Sequence, residues 1–260
     1  MSSLIKFVCG LITGLILSAI IIFVFNPQIT EVKISNYLDK NPEKIDDFSD
    51  IVDQSRKYLI RKQNLEIIKE NHSFFESQKF YIGNPEGSKI IYEFFDYNCG
   101  FCKRVFSDLM DLASENKDVK IVFIELPVLG QSSLLASKAA YEAFNRGKYF
   151  EMHQKLINHR GKITIEDINV FAEEINIDPD LLIKNINNLD TSFIKENYRI
   201  ADKLNINGTP TFIIGDEIIP GAIDKALMVQ LISSYWHIWF FQSIDAITNK
   251  RLDTYVSRKK

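Results

Sequence analysis

The spacing of apolar positions in the middle of the chain changes between two patterns that predict different elements. Mostly apolar runs at 90–95 and 119–126, the second ended by Pro127, are typical of buried strands. Between them, apolar residues fall near a 3.6-residue period that predicts an amphipathic helix: Val105, Phe106, Leu109, Met110, Leu112 and Ala113. A strand, a helix and a further strand in this order predict a right-handed crossover with parallel pairing.

A long helical block follows this unit. The sequence carries no strand pattern from about 131 to 204, whereas helical periodicity recurs there. An acid-rich turn at 164–167 and Pro179 are typical of helix starts. We therefore predict a helical insertion over about 131–204.

The pattern then returns to strands. Residues 212–214 and 217–219 flank Gly215-Asp216, and this arrangement predicts a β-hairpin with a two-residue turn. Apolar spacing over 222–235 predicts the last helix of the domain.

The N-terminal segment over residues 7–25 has no charged residue and is about long enough to span a bilayer. A signal peptide has a shorter apolar core and a small-residue cleavage site, and Phe25-Asn26-Pro27 is a poor match to one. We therefore favour an uncleaved signal anchor over a cleaved signal peptide within residues 1–26. Either interpretation exports the remainder of the chain.

Two flanking segments are predicted to be amphipathic. Residues 27–82 are polar and helix-prone, interrupted at Asn41-Pro42, and their apolar stripe indicates either a spacer or an oligomerisation stalk. The loop over 83–87 marks the start of the next domain, which extends to 235. The tail over 236–260 combines aromatic and basic residues, for which packing on the core is favoured over a contact with a membrane surface or partner.

Composition narrows the class of function. A net charge of −3 and the lack of a basic patch interleaved with aromatic residues argue against nucleic-acid binding. The sequence has 3 cysteines and 4 histidines. Three cysteines, two of them in one motif, do not indicate a disulfide scaffold. The histidines show no ligand spacing, so no metal site is indicated.

The chemistry is expected at Cys99-Gly100-Phe101-Cys102, where a strand pattern gives way to a helix pattern. Unpaired N–H groups and the helix dipole stabilise an anion at a helix start, so we expect Cys99 in the first exposed turn with a lowered thiol pKa. Cys102, one turn further and more buried, would resolve the mixed disulfide. Zinc binding and an inert disulfide are the competing interpretations, and zinc usually needs four ligands.

Two motifs together resemble the thioredoxin superfamily: the Cys-x-x-Cys after a strand, and Gly208-Thr209-Pro210-Thr211-Phe212 before one. The helical insertion between them narrows the resemblance to DsbA-like thiol:disulfide oxidoreductases with an N-terminal helical extension. The implied fold is α/β: a thioredoxin fold with a large helical insertion, preceded by the membrane-spanning or signal helix and a helical stalk.

This resemblance implies roles for three further residues. Pro210 matches the family's cis-proline, whose loop packs against the cysteines and offers backbone groups to a bound peptide. Thr209 would influence redox poise and substrate release. Glu93 matches a buried acid that could accept the proton of Cys102. A solvated strand acid is the alternative interpretation of Glu93.

The dipeptide between the cysteines departs from the strongly oxidising members of the family. It is Gly-Phe rather than Pro-His, so the thiolate lacks a stabilising histidine and weaker oxidising power is expected. A threonine in the position of Thr209 also precedes the matching proline in disulfide isomerases. The resemblance therefore implies an exported oxidase that forms disulfides, with an oligomeric isomerase or reductase as the alternative. A binding scaffold with vestigial chemistry is a third hypothesis, which the intact motifs oppose.

The resemblance also implies the setting of the reaction. We expect a periplasmic protein, either anchored to the inner membrane or soluble after signal cleavage. Its partners would be folding proteins with free thiols, a membrane redox partner that resets the cysteine pair, and possible further copies of the chain. No metal or organic cofactor is implied.

Overall fold

The computed structural model describes residues 27–234. The predicted anchor over 7–25 and the predicted tail over 236–260 lie outside the described residues. Within 27–234, no helix is both long and apolar enough to cross a bilayer. The described residues divide into two compact units, with the boundary between Ile60 and Arg61.

The first unit is helical where it is described. Helix α1 (Pro27–Lys40) is followed by a 3-10 turn (Pro42–Lys44) and by the first part of helix α2 (Ile45–Glu70). The interruption falls at Asn41-Pro42 as predicted, because proline has no N–H to continue the helix. Large apolar side chains line a shallow groove of about 350 Å³ between these helices, among them Ile34, Tyr37, Leu38, Phe48 and Ile51.

The second unit contains a five-stranded mixed sheet. Its strands are β1 (Tyr81–Gly83), β2 (Lys89–Phe95), β3 (Val119–Glu125), β4 (Thr211–Ile214) and β5 (Glu217–Pro220). They lie in the order β1-β3-β2-β4-β5, with β2 and β3 parallel and the other pairs antiparallel. The predicted parallel crossover and the β4–β5 hairpin are therefore confirmed.

Strand β1 was not predicted, since helix was expected up to about residue 80 and a loop from residue 83. It is only three residues long, and pairing with β3 holds it in the sheet. A strand that short shows no alternation that the sequence could reveal.

Helices account for most of the remaining unit. They are α3 (His72–Glu76), α4 (Gly100–Glu115), α5 (Gln131–Phe144), α6 (Tyr149–Asn158), α7 (Ile165–Glu174), α8 (Pro179–Asn188), α9 (Ser192–Lys203) and α10 (225–234). The predicted strand-free block over 131–204 is confirmed. A capping box at Thr164 starts α7, and Pro179 is the first residue of α8. Helix α10 begins three residues later than predicted, where the Asp224 carboxylate accepts the Leu227 N–H at 2.8 Å.

The sheet separates two apolar clusters. Side chains of β2 point alternately to one cluster and to the other, which decides which of them face helix α4. Ile91 and Phe95 lie in the cluster that contains α4 residue Leu109, whereas Phe94 lies in the other cluster. Because side chains alternate along a strand, Glu93 is directed to the same face as Ile91 and Phe95. Glu93 therefore lies beneath the first turn of α4.

Candidate active site

The turn between β2 and α4 is held by a buried carboxylate. Asp96 is 1% exposed; its Oδ1 accepts the Asn98 N–H at 2.7 Å and its Oδ2 accepts the Leu129 N–H at 2.9 Å. Its carbonyl oxygen accepts the Cys99 N–H at 3.0 Å. Such a turn reverses the chain within three residues. It places Cys99 at the N-cap position of α4.

Both cysteines are brought together at this helix start. They are free thiols, and their sulfurs are close enough for a hydrogen bond between the side chains. Cys102 is the more buried residue, as expected, at 1% exposed against 6% for Cys99. The expectation that Cys99 lies in an exposed turn was wrong, because the Thr209 carbonyl oxygen lies 3.1 Å from its Sγ.

The Cys99 thiol is strongly acidified. Its pKa is lowered from 9.0 to about 5, first by the hydrogen bond from the Cys102 thiol. Burial opposes this change, while the Thr209 side chain and the backbone N–H groups of Cys102 and Phe101 lower the pKa further. A thiolate is thus the stable form of Cys99 at neutral pH.

The Cys102 thiol changes in the opposite direction. Burial, the hydrogen bond given to Cys99 and the negative charge of Glu93 all raise its pKa above the ordinary range. The two thiols therefore divide the roles of nucleophile and proton holder.

The loop facing Cys99 carries the predicted cis-proline. The Thr209–Pro210 peptide bond is cis. On one side of it the Thr211 hydroxyl donates to the Gly208 carbonyl at 2.8 Å, and on the other the Gly221 N–H donates to the Pro210 carbonyl at 2.8 Å. These contacts attach the loop to the β4–β5 hairpin, so the hairpin fixes the Thr209 carbonyl over the sulfur.

Glu93 completes the group of residues that the sequence predicted. It is 2% exposed, and its Oε1 has no hydrogen-bond partner among the described residues. Burial first, and then the charge of Cys99, raise its pKa from 4.5 to about 8. The interpretation of Glu93 as a solvated strand acid is excluded, because its side chain is buried.

A second buried polar cluster, which was not predicted, lies behind the turn. The Tyr97 hydroxyl contacts His153 Nδ1 at 2.9 Å and donates to Glu125 Oε1 at 3.3 Å, and the Tyr149 hydroxyl lies 3.4 Å from the same His153 nitrogen. Burial lowers the His153 pKa to about 3 and raises the Glu125 pKa to about 8. Both side chains are therefore largely neutral at pH 7. The only sequence signal was a tyrosine next to the cysteine motif.

The described part of the chain contains no group of three or more His, Cys, Asp or Glu side chains that could hold a metal ion. The geometry instead suits thiol–disulfide exchange: an acidified outer sulfur, a protonated inner sulfur and a buried carboxyl with a pKa near neutrality.

Comparison with known proteins agrees with this geometry. A family model described as thioredoxin matches residues 76–234. A thioredoxin-like oxidoreductase from Silicibacter pomeroyi DSS-3 is 31% identical with a TM-score of 0.59, over 63% of this chain and 95% of that chain. The thiol-disulfide exchange protein alpha-DsbA2 from Wolbachia pipientis is 28% identical with a TM-score of 0.61, over 69% of this chain and 97% of that chain.

Curated sequences give two kinds of relative. Disulfide bond formation protein D of Bacillus subtilis is 24% identical over 156 residues, which is 55% of this chain and 70% of that protein. Na⁺/H⁺ antiporter NhaA 1 of Salinispora arenicola is 25% identical over 157 residues, or 59% of this chain. The chain spans only 24% of the length of that antiporter. These findings confirm the resemblance: the chain belongs to the thioredoxin family and is homologous to its thiol-disulfide oxidoreductases.

Proposed function

We propose that this protein forms disulfide bonds in exported proteins by donating the Cys99–Cys102 disulfide. A client thiolate attacks Cys99 Sγ, the bond to Cys102 breaks, and Cys102 leaves with the electron pair and takes a proton. A second client thiolate then attacks the client sulfur of the mixed disulfide, and Cys99 leaves as a thiolate. The client is oxidised by two electrons and the cysteine pair is reduced.

The observation that carries this proposal is the set of contacts at Cys99, in which the Cys102 thiol and helix N–H groups donate to its sulfur and lower its pKa to about 5. A thiolate that is stable at neutral pH is a good leaving group, and it stabilises the reduced form of the pair relative to the disulfide. A pair with a stabilised reduced form transfers its disulfide readily. The contacts at Cys99 thus support oxidising power even though the Gly100-Phe101 dipeptide lacks a histidine.

The same proposal includes a setting and partners. A disulfide donor needs a non-reducing compartment, which for a bacterial chain of this kind is the periplasm or its equivalent. Residues 7–25 would anchor the protein in the membrane or direct its export before cleavage. A membrane redox partner would reoxidise the pair. Residues 83–235 would form the catalytic domain, 27–82 its extension and 236–260 a packed tail.

Two assays on the full chain test the activity. The oxidised protein should restore activity to reduced ribonuclease in stoichiometric amounts, and the reduced protein should accelerate insulin reduction by dithiothreitol. Cys99→Ala should abolish both reactions. Retained oxidation of ribonuclease by Cys99→Ala would remove the role assigned to Cys99.

An oligomeric isomerase is the second candidate, and a specific observation favours it. Helix α2 presents large apolar side chains to solvent in the first unit, with Ile51 59% and Leu59 62% exposed. Such a surface is typical of a segment that packs against a partner. The double variant Ile51→Glu/Leu59→Glu should then lower the mass seen in sedimentation and slow refolding of scrambled ribonuclease. The control variant Gln54→Glu/Gln63→Glu adds the same charge on the same helix and should do neither.

A further inference from the structure

A groove of about 920 Å³ is lined by both chain neighbours of the reactive cysteine, Asn98 and Gly100. Lys103, on the next turn of α4, also lines it. The remaining walls are the start of α5 at 130–132 and the loop over 157–162. A chain segment joined to Cys99 through a disulfide therefore lies within reach of this groove.

The groove wall carries cations and no carboxylate. Lys103, Arg160 and Lys162 line it, and no Asp or Glu does so among the residues that the structure describes. Arg160 and Lys162 are exposed, and neither side chain has an ion pair or hydrogen bond with another described residue. This local charge contrasts with the net charge of −3 of the whole chain.

Nearby acids offset only part of this charge. Asp96 lies close enough to raise the Lys103 pKa and so offsets part of the charge of that lysine, but both its oxygens accept backbone N–H groups and it does not line the groove. Asp167 lies 3.5 Å from the His159 ring and accepts the Thr164 N–H, and it does not line the groove. Lys103 Nζ donates one of its three protons to the His159 carbonyl oxygen, which joins α4 to the loop and leaves two donors.

We propose that this groove binds the segment flanking the target cysteine and selects clients in which that segment carries Asp or Glu side chains. The groove is large enough for several side chains, so a peptide segment is favoured over a single small anion. Like-signed clefts concentrate oppositely charged ligands and accelerate association. The proposal rests on the thiol–disulfide exchange proposed above and names the client class for that site.

The test compares peptide thiols that differ only in charge. Cysteine peptides with Asp and Glu on one side or the other, with Ser and Gln in their place, or with Lys, are each mixed with the oxidised full-length protein. The first-turnover rate is followed by acid quench and mass spectrometry. Each rate is divided by the rate of the same peptide with hydroxyethyl disulfide, which removes the effect of charge on the intrinsic reactivity of the thiol.

We expect at least one acidic peptide to react roughly tenfold faster than the neutral peptide at low salt, and the Lys peptide to react more slowly. The advantage should fall several-fold at about 0.15 M salt, because screening weakens exposed charge contacts. Arg160→Gln/Lys162→Gln should reduce the acidic-to-neutral ratio towards one. Lys184→Gln/Lys195→Gln removes the same charge from exposed positions outside the groove and should preserve the ratio.

Each remaining outcome overturns a distinct statement. Equal normalised rates for acidic and neutral peptides would overturn the groove proposal while leaving the proposed function intact. The same is true if the control variant loses the ratio as fully as the groove variant. Glutathione is added to the same assay as a small anionic thiol. A charge-dependent advantage of glutathione that neither acidic peptide shows would mean that the groove selects a small anionic thiol and not a peptide segment. Failure of all peptides to react would instead remove the proposed function itself.

Discussion

At the level of single residues, the site links the acidity of one thiol to the presence of the other. The largest effect on the Cys99 pKa is the hydrogen bond that Cys102 donates, ahead of the contributions from Thr209 and the helix N–H groups. Cys102 is therefore both the resolving group and the main activator of Cys99. The helix start alone, from which the acidity was predicted, supplies the smaller part.

This order of causes predicts the behaviour of two variants at Cys102. Thiolate absorbance at 240 nm in the reduced protein should titrate with a midpoint at about 5. Cys102→Ala removes the donor and should raise the midpoint by one or more pH units, whereas Cys102→Ser keeps a hydroxyl donor and should raise it less. Cys99→Ser, the control, should show no absorbance change near pH 5. A midpoint that Cys102→Ala leaves unchanged would contradict the assigned cause.

Glu93 predicts a pH dependence of the step in which Cys102 attacks a mixed disulfide at Cys99, which is the reverse of the first step of client oxidation. Its carboxyl titrates near pH 8 and adds to the raised pKa of Cys102, so its ionised form is placed to take the Cys102 proton. Glu93→Gln should slow attack by Cys102 on a trapped mixed disulfide by roughly 10²-fold, and should remove an inflection near pH 8 from the rate profile. Attack by a client thiol on oxidised Cys99 is the reverse of this step and should slow similarly, because Glu93 then returns the proton to the leaving Cys102. Attack by a second thiol on the client sulfur of the mixed disulfide, in which Cys99 leaves, should change less, and equal slowing of that step would indicate a structural role only.

The residues that could be predicted from sequence are those whose roles depend on local order. Cys99, Cys102 and Pro210 lie in short motifs beside strand or helix patterns. Glu93 lies six positions before Cys99, within the strand pattern that precedes the motif. The role of His153 could not be predicted, because it is 56 positions from Tyr97 and a single histidine forms no spacing pattern in the sequence. Which buried polar groups meet across the fold depends on packing that a single sequence does not display.

At the level of elements, the buried cluster joins three segments that the sheet alone does not hold together. Tyr97 belongs to the active-site turn, Glu125 ends β3, and His153 is on α6 of the helical insertion. Asn197 on α9 also donates to the Glu125 carbonyl at 2.8 Å. The helical insertion therefore supports the turn before Cys99 from behind, in addition to the groove wall it supplies.

A single hydroxyl tests the importance of this junction. Tyr97→Phe leaves Glu125 Oε1 and His153 Nδ1 without the Tyr97 hydroxyl in a buried site, which should cost about 1–3 kcal/mol of unfolding free energy. Tyr198→Phe removes a hydroxyl that donates to the Pro127 carbonyl at 2.7 Å from a residue that is 40% exposed. Water can replace that contact, so the control should lose less. Urea unfolding of the oxidised proteins measures both changes.

Elements were predicted correctly where an apolar pattern extends over many residues. They were missed where an element forms only because of a contact with a distant part of the chain. Strands β2 and β3 and the amphipathic helix α4 follow from runs of seven or more residues. Strand β1 depends on its register with Val122, Ile121 and Lys120 of β3, a contact that is not local. The start of α10 likewise depends on a cap from Asp224 that apolar spacing does not reveal.

At the level of the whole molecule, the buried acids and the acidic thiol make stability depend on pH in opposite senses. Glu93 and Glu125 have folded pKa values of about 8 against an ordinary 4.5. Between these values the folded protein holds protons that the unfolded chain releases, so the unfolding free energy falls as pH rises. Cys99 has a folded pKa of about 5 against 9.0, so unfolding of the reduced protein takes up a proton between these values and stability rises with pH.

The difference between the two redox forms comes mainly from the thiol, because the oxidised pair has no Cys99 proton to exchange and burial, the largest cause of the raised Glu93 pKa, is common to both forms. The unfolding free energy of the oxidised protein should fall by up to about 2.8 kcal/mol per pH unit between pH 5 and 8 from the two acids, and that of the reduced protein by about half as much. The reduced form should therefore gain about 1.4 kcal/mol on the oxidised form with each pH unit, and this gain should end near pH 9. Urea unfolding of both forms from pH 5 to 9 measures it.

Glu125→Gln should flatten both curves equally and leave their difference unchanged, whereas Cys99→Ser/Cys102→Ser should show no dependence on added reductant. Parallel curves for the two redox forms of the unaltered protein would contradict an acidic Cys99, and with it the reason for expecting an oxidising disulfide.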